Sequence, residues 1–245
     1  VAHAIDTAHS LGMKVMLKPM LDVNDGTWRA EINPTDKETW FANYTHFLGT
    51  FADLAQQKGV ELSSLGCEMN TLEATSNNAS WTNLITNIRS RYDGKLTYAA
   101  NWSPNSSNLG GYKNVSWWNQ LDVIGIDAYF PIATNNNPTV ASMAAAWNSE
   151  ANKIETWLNS SGLNKKVIFT EVGDESANGT GQQPWGVGNP QPDLQEQADA
   201  YQAMLNVMPA RTWWDGAFWW NWEADPTPDD ILHNGYTPQN KPAQA

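Results

Sequence analysis

Apolar residues along this chain follow two spacings: short runs that suit strands, and longer stretches in which every third or fourth position is apolar, as on one face of a helix. Residues 1–11 put Val1, Ala4, Ile5, Ala8 and Leu11 on one helical face and stop at Gly12, after which Val15 to Asp22 reads as a strand. Helical spacing returns at 37–57, 80–91, 139–160 and 193–208, with a shorter stretch at 116–120. Strand signals lie between them at 61–67, 96–102, 122–130, 166–172 and 216–222. Six strands, each preceded by a helical segment, are the pattern of an α/β fold with a parallel sheet. An open sheet of six would expose two unpaired edges and an apolar interior, whereas two strands and one helix upstream would complete a (β/α)8 TIM barrel. The expectation is therefore a single barrel domain over residues 1–245 carrying strands three to eight, with the first two strands missing and the N-terminal part truncated. The alternative is a six-strand doubly wound sheet that begins on a stray helix.

Composition narrows the partners. Fourteen Lys and Arg face 26 Asp and Glu, a formal net charge of −12, and the basic residues are scattered. Neutralising phosphates needs clustered cations, so nucleic acid is not expected as a partner. No run of about 18 apolar residues is present, so no membrane partner is expected either. The single cysteine, Cys67, excludes an intrachain disulfide.

Active sites of barrels lie where the strands end, and the strand ends here are chemically unusual. KVMLKPMLD puts Lys18, Met20 and Asp22 on one face by the two-residue period of strands. ELSSLGCE delivers Glu68, LTYAANW offers Asn101 and Trp102, VIGIDAYF puts Asp127 and Tyr129 on one face, and VIFTE delivers Glu171. An acidic residue ending an apolar strand is costly unless paired or solvated, and two of them suggest the working pair of a glycoside hydrolase. The competing reading is a structural ion pair of either glutamate with Lys18 or Arg29. Glu73 is the reserve candidate for the acid/base.

Fourteen tryptophans point the same way, because sugar rings present C–H faces that stack on aromatic planes. Trp28, Trp102, Trp185, Trp220 and Trp222 lie at strand ends or in loops and are candidates for a sugar-lined cleft. Trp40, Trp81, Trp147 and Trp157 fall in helical stretches, where packing is the expected role, and spacing assigns no role to Trp117, Trp118, Trp213 and Trp214. GTGQQPWGVG, within 174–191, reads as a long loop bordering the cleft. Of the four histidines, His3, His9 and His46 lie on predicted helices and His233 in the tail, so no histidine-based metal site is expected.

The stretches GMKVMLKPMLD, WRAEI, LGCEMNTLEAT, LTYAANW, LDVIGIDAYFP, VIFTEVG, WWNW and GYTPQNKPA together resemble glycoside hydrolase family 113, within clan A. The resemblance implies a barrel that hydrolyses β-1,4-mannan with retention, with Glu68 as acid/base and Glu171 as nucleophile. It implies that Tyr129 hydrogen-bonds the nucleophile and that Trp220 or Trp222 is the platform under the sugar at the cleavage point. Lys18, Asp22, Trp28, Asn101, Trp102 and Asp127 join them as expected substrate-binding residues. Many clan A relatives carry Asn directly before the acid/base, where it holds the sugar 2-OH; here that slot is Cys67, so either Asn70 or Asn101 serves or recognition at that hydroxyl is weaker than usual. Retention would need the two carboxyls about 5 to 5.5 Å apart, and inversion about 6.5 to 9.5 Å.

The expected partner is a neutral polysaccharide or oligosaccharide, met by a monomer without cofactor or metal. A secreted or extracellular location suits such a substrate, although no signal peptide opens the chain. Rival readings are a clan A enzyme acting on cellulose or xylan, a barrel that binds polysaccharide without cutting it, and a divalent-metal enzyme using Asp22, Glu68, Asp127 and Glu171.

Overall fold

The computed structural model describes residues 1–188, 191–225 and 235–245. His233 therefore lies outside the described residues. Two compact units divide the chain, Val1–Ile126 and Asp127–Ala245.

The first unit begins with helix α1 (Ala2–Ser10), followed by β1 (Met16–Leu17), α2 (Lys37–Lys58), β2 (Leu62–Cys67), α3 (Asn78–Arg89), β3 (Lys95–Asn101) and β4 (Ile124–Asp127), whose last residue opens the second unit. Strands β1, β2 and β3 are parallel neighbours, and β4 follows β3 in the sheet. β1 is far shorter than the run 15–22 predicts, because Pro19 has no N–H to give to a ladder. Helix α2 starts where the Asp36 carboxylate accepts from Thr39 N and ends on a left-handed Gly59. The predicted helix at 116–120 is a single 3₁₀ turn, Trp118–Gln120. Its tryptophans are core: Trp81 stacks on Trp117 with centroids 4.5 Å apart, and Trp117, Trp118 and Tyr98 are fully buried around them. Aromatic burial of this kind is a large apolar contribution that fixes β3 against α3.

The second unit holds α4 (Val140–Ser161), β5 (Val167–Val172), α5 (Leu194–Val207) and β6 (Trp214–Trp219). Thr139 and Ser142 form a reciprocal capping box at the start of α4, and Asp193 caps α5 by accepting from Gln195 N and Glu196 N. β5 and β6 run parallel. Trp147 stacks on Phe169 at 5.8 Å and Trp214 meets Phe169 edge-on, so Trp147 and Trp214 also pack rather than bind. Among the described residues, no helix is long and apolar enough to cross a membrane.

Two irregularities in the ladders lie beside the strand-end glutamates. Between Ser64 and Cys67, β2 advances three residues while β3 advances two, from Thr97 to Ala99. Between Phe169 and Val172, β5 advances three while β6 advances two, from Ala217 to Trp219. A bulge of this type re-aims the side chains beside it. Glu68 follows the first, and Glu171 lies inside the second.

Candidate active site

In the first unit the chain leaves β2 through Gly66, Cys67 and Glu68. Glu68 is 9% exposed and sits in the left-handed region at φ 49°, a conformation that costs a non-glycine residue about 1 kcal/mol or more. Its N–H still reaches Ala99 O at 2.8 Å, so the strand pairing continues while the side chain is turned. The carboxyl has side-chain neighbours at both oxygens. Asn101 Nδ2 donates to Oε1 at 3.1 Å, and Arg29 Nη1 stands 3.7 Å from Oε2.

Arg29 is itself held. Its Nε donates to Leu21 O at 3.0 Å, Nη2 to Asp22 Oδ1 at 2.5 Å, and Nη1 approaches Cys67 Sγ at 3.8 Å. Burial opposes the guanidinium charge, but Cys67, Asp22 and Glu68 outweigh it and push the Arg29 pKa up. Asp22 thus meets Glu68 through Arg29, whose guanidinium reaches both carboxylates. Lys18 and Trp102 follow β1 and β3 on the same unit and are half-buried, while Trp28 is exposed. Sequence alone marks Arg29 as an ion-pair partner and no more.

Glu73, the reserve acid/base, is 1% exposed and accepts a hydrogen bond from Tyr98 Oη at 2.6 Å. Asn70 turns its amide to the loop after β3, where Nδ2 donates to Ser103 O and Leu109 O. It therefore anchors the 3₁₀ turn Asn70–Glu73 to that loop. The close approach requires glycine at position 110, where a Cβ would lie 2.4 Å from Asn70 Cα.

In the second unit Glu171 is 7% exposed, and its carbonyl accepts from Ala128 N at 2.7 Å. Tyr129 Oη donates to Glu171 Oε2 at 2.8 Å. Burial first, and then the Glu171 charge, drive the Tyr129 pKa far up, so the phenol stays a donor. Asp127 is fully buried and accepts from Thr170 Oγ1 at 2.7 Å, tying the end of β4 to the residue before Glu171. Tyr236 meets Tyr129 edge-on at 6.4 Å, a neighbour that no sequence pattern singles out.

Trp220 follows β6, and its N–H donates to Val172 O at 2.7 Å. Its carbonyl fills the place of a side chain at position 173, where a Cβ would lie 2.2 Å away; only glycine allows this approach. The Trp220–Asn221 peptide is cis. Trp222 is 60% exposed and Trp185 is exposed as well, so both rings present a face to solvent, whereas Trp219 stacks on Tyr201 at 3.7 Å.

Three residues past Glu171, Asp174 is buried, and burial, reinforced by Glu196, raises its pKa to about 8. Its folded pKa therefore stands above the unfolded value near 4, so the folded state holds the extra proton and stability falls as pH rises from about 4 to about 8. Asp174→Asn, which keeps the shape without the charge, is expected to raise the melting temperature at pH 8 by several degrees and to leave it nearly unchanged at pH 4. Thermal unfolding at the two pH values tests this.

Comparison with known proteins gives a consistent result. The family model for Glycoside Hydrolase Family 113 matches residues 1–240. A solved GH113 β-1,4-mannanase complex superposes with a TM-score of 0.83 at 30% identity, covering 99% of this chain and 75% of that one. A GH113 β-mannanase from Alicyclobacillus acidocaldarius in complex with ManMIm gives 0.82 at 31% identity, with 99% and 74% covered. A β-glucuronidase from Ruminococcus gnavus, at 11% identity and a TM-score of 0.67 over 96% of this chain and 38% of that one, shares the fold alone. No curated protein sequence matches significantly. The fold is that of the (β/α)8 barrel, of which the described residues carry six strands.

Proposed function

The chain belongs to glycoside hydrolase family 113, and from that premise we propose that this glycoside hydrolase is an endo-β-1,4-mannanase that works with retention through Glu68 and Glu171. The observation that carries the reading is that each glutamate ends an apolar strand at a one-residue bulge, is nearly buried, and is held by a side-chain donor.

Glu171 is the nucleophile in this reading. Tyr129 donates to Oε2, which orients the carboxylate, and the carboxylate attacks the anomeric carbon. Glu68 donates its proton to the departing glycosidic oxygen as that bond breaks, and a covalent glycosyl-enzyme forms. Glu68, now a carboxylate, then takes a proton from water as the water oxygen bonds to the anomeric carbon and Glu171 is released. Asn101 and Arg29 hold the Glu68 carboxyl through both steps, with Asp22 acting through Arg29. Trp220 and Trp222 serve as stacking platforms, and Lys18, Trp28, Trp102 and Asp127 line or brace the remaining sugar contacts. The substrate is uncharged, which suits a chain of net charge −12 that would repel an anionic polymer.

The test is a panel of mannan, cellulose and xylan, with reducing ends measured and the first-formed anomer followed by NMR. Release from mannan well above the other two, with the β-anomer appearing first, is expected. Release confined to cellulose or xylan would reassign the substrate, an α-anomer would remove retention, and no release from any of them would leave a binding protein.

A further inference from the structure

We propose that Tyr98 and Glu73 form a positioning pair for the acid/base, acting on the peptide that follows Glu68; this rests on the reading of Glu68 as acid/base. Tyr98 Oη accepts a hydrogen bond from Met69 N at 2.8 Å and donates to Glu73 Oε1 at 2.6 Å. A phenol has one proton. With that proton committed to the carboxylate, its lone pairs are left to face the Met69 N–H, so the direction of both bonds is fixed. Burial and the Glu73 charge push the Tyr98 pKa well up, which keeps the proton on the phenol.

The site of action is what gives the pair its meaning. Glu68 is a non-glycine residue at φ 49°, and Met69 N belongs to the next peptide. A residue in that conformation relaxes toward the ordinary regions unless its surroundings hold it. Ala99 O holds the peptide before Glu68, and Tyr98 holds the one after it. Both partners come from neighbouring positions on β3, so the backbone of the acid/base is clamped from a single strand. Glu73 is clamped in turn, because Asn70 fixes its 3₁₀ turn to Ser103 O and Leu109 O.

The expense of the arrangement argues against packing as its purpose. Glu73 is 1% exposed and Tyr98 is fully buried, and burying a carboxylate is costly even when it is hydrogen-bonded. An apolar pair of similar volume would fill the same space at no such cost. What the polar pair adds is a fixed acceptor for one particular N–H, beside the residue whose carboxyl must be placed most accurately.

Leaving-group dependence separates positioning from structure. A sugar leaving group needs a proton from the acid, whereas dinitrophenolate departs without one. In the full chain, Tyr98→Phe is expected to lower kcat/KM on mannotetraose by about 10- to 100-fold, the scale of a misplaced catalytic group, and to change kcat/KM on dinitrophenyl β-mannobioside by less than about 3-fold. Glu73→Leu should show the same split. Glu73→Gln, whose amide oxygen can accept from Tyr98, should restore most of the loss. Equal losses on both substrates, or no loss on either, would overturn the proposal. If Tyr98→Phe fails to fold, the ratio is read from the two Glu73 variants, and absence of a split in Glu73→Leu is decisive against the pair. Glu68→Ala is measured beside them. A split in Glu68→Ala without one in the Tyr98 and Glu73 variants removes the positioning pair alone, and no split in Glu68→Ala removes the acid/base reading beneath it.

Discussion

Glu171→Ala is expected to stop mannan hydrolysis, with kcat falling on the order of 10⁴-fold or more, and azide is expected to restore turnover with inverted product. The expectation rests on what the substitution removes. In the proposed mechanism this carboxylate forms the glycosyl-enzyme, so its removal takes that step away, and the space vacated admits a small anion. Azide attacking from that side bonds to the anomeric carbon once, so the product has the opposite configuration to the substrate. Tyr129 lies beside the vacated space, because its hydroxyl donates to Glu171 Oε2. Mass spectrometry of the glycosyl azide and NMR of its anomeric proton decide the matter. An azide product of unchanged configuration would move the nucleophile elsewhere, and an untouched kcat would remove Glu171 from the chemistry.

Glu68→Ala should divide substrates by their leaving groups. Turnover of mannan is expected to fall by about 10²- to 10⁴-fold, the usual worth of a general acid. With dinitrophenyl β-mannobioside the first step should stay near its normal rate, and a burst of dinitrophenol should precede a slow steady state because no base activates the water. Azide, which needs no base, should speed that second step and give a product of retained configuration. The two variants are thus told apart by the handedness of their azide products as well as by rate. A burst absent from Glu68→Ala, with mannan turnover intact, would transfer the acid role to another residue.

Much of the candidate chemistry is legible along the chain, because it rests on residues that violate a local pattern. An apolar run such as LSSLGC closing on Glu68, or VIFT closing on Glu171, is visible without any knowledge of the fold. The helices are equally open to reading, since Asp36, Gly59, Thr139 and Asp193 mark their ends by capping chemistry. What periodicity does not carry is contact between residues distant in sequence. Tyr98 and Glu73 are 25 residues apart, and nothing in LTYAANW distinguishes a tyrosine that packs from one that accepts Met69 N. Arg29 is visible as a cation, but its simultaneous reach to Asp22, Leu21 O, Cys67 and Glu68 depends on the path of the chain after β1. Strand lengths depart from expectation where a single residue ends the ladder, as Pro19 does. Trp117, Trp118, Trp213 and Trp214, which spacing leaves without a role, become packing residues only once their neighbours are known.

Beside the two glutamates, the extra residue that β2 and β5 each carry locally over their neighbours separates two obligations that a strand usually combines. Cohesion of the sheet belongs to the paired positions on either side of the extra residue, and each acid stands directly after or within the stretch where pairing lapses.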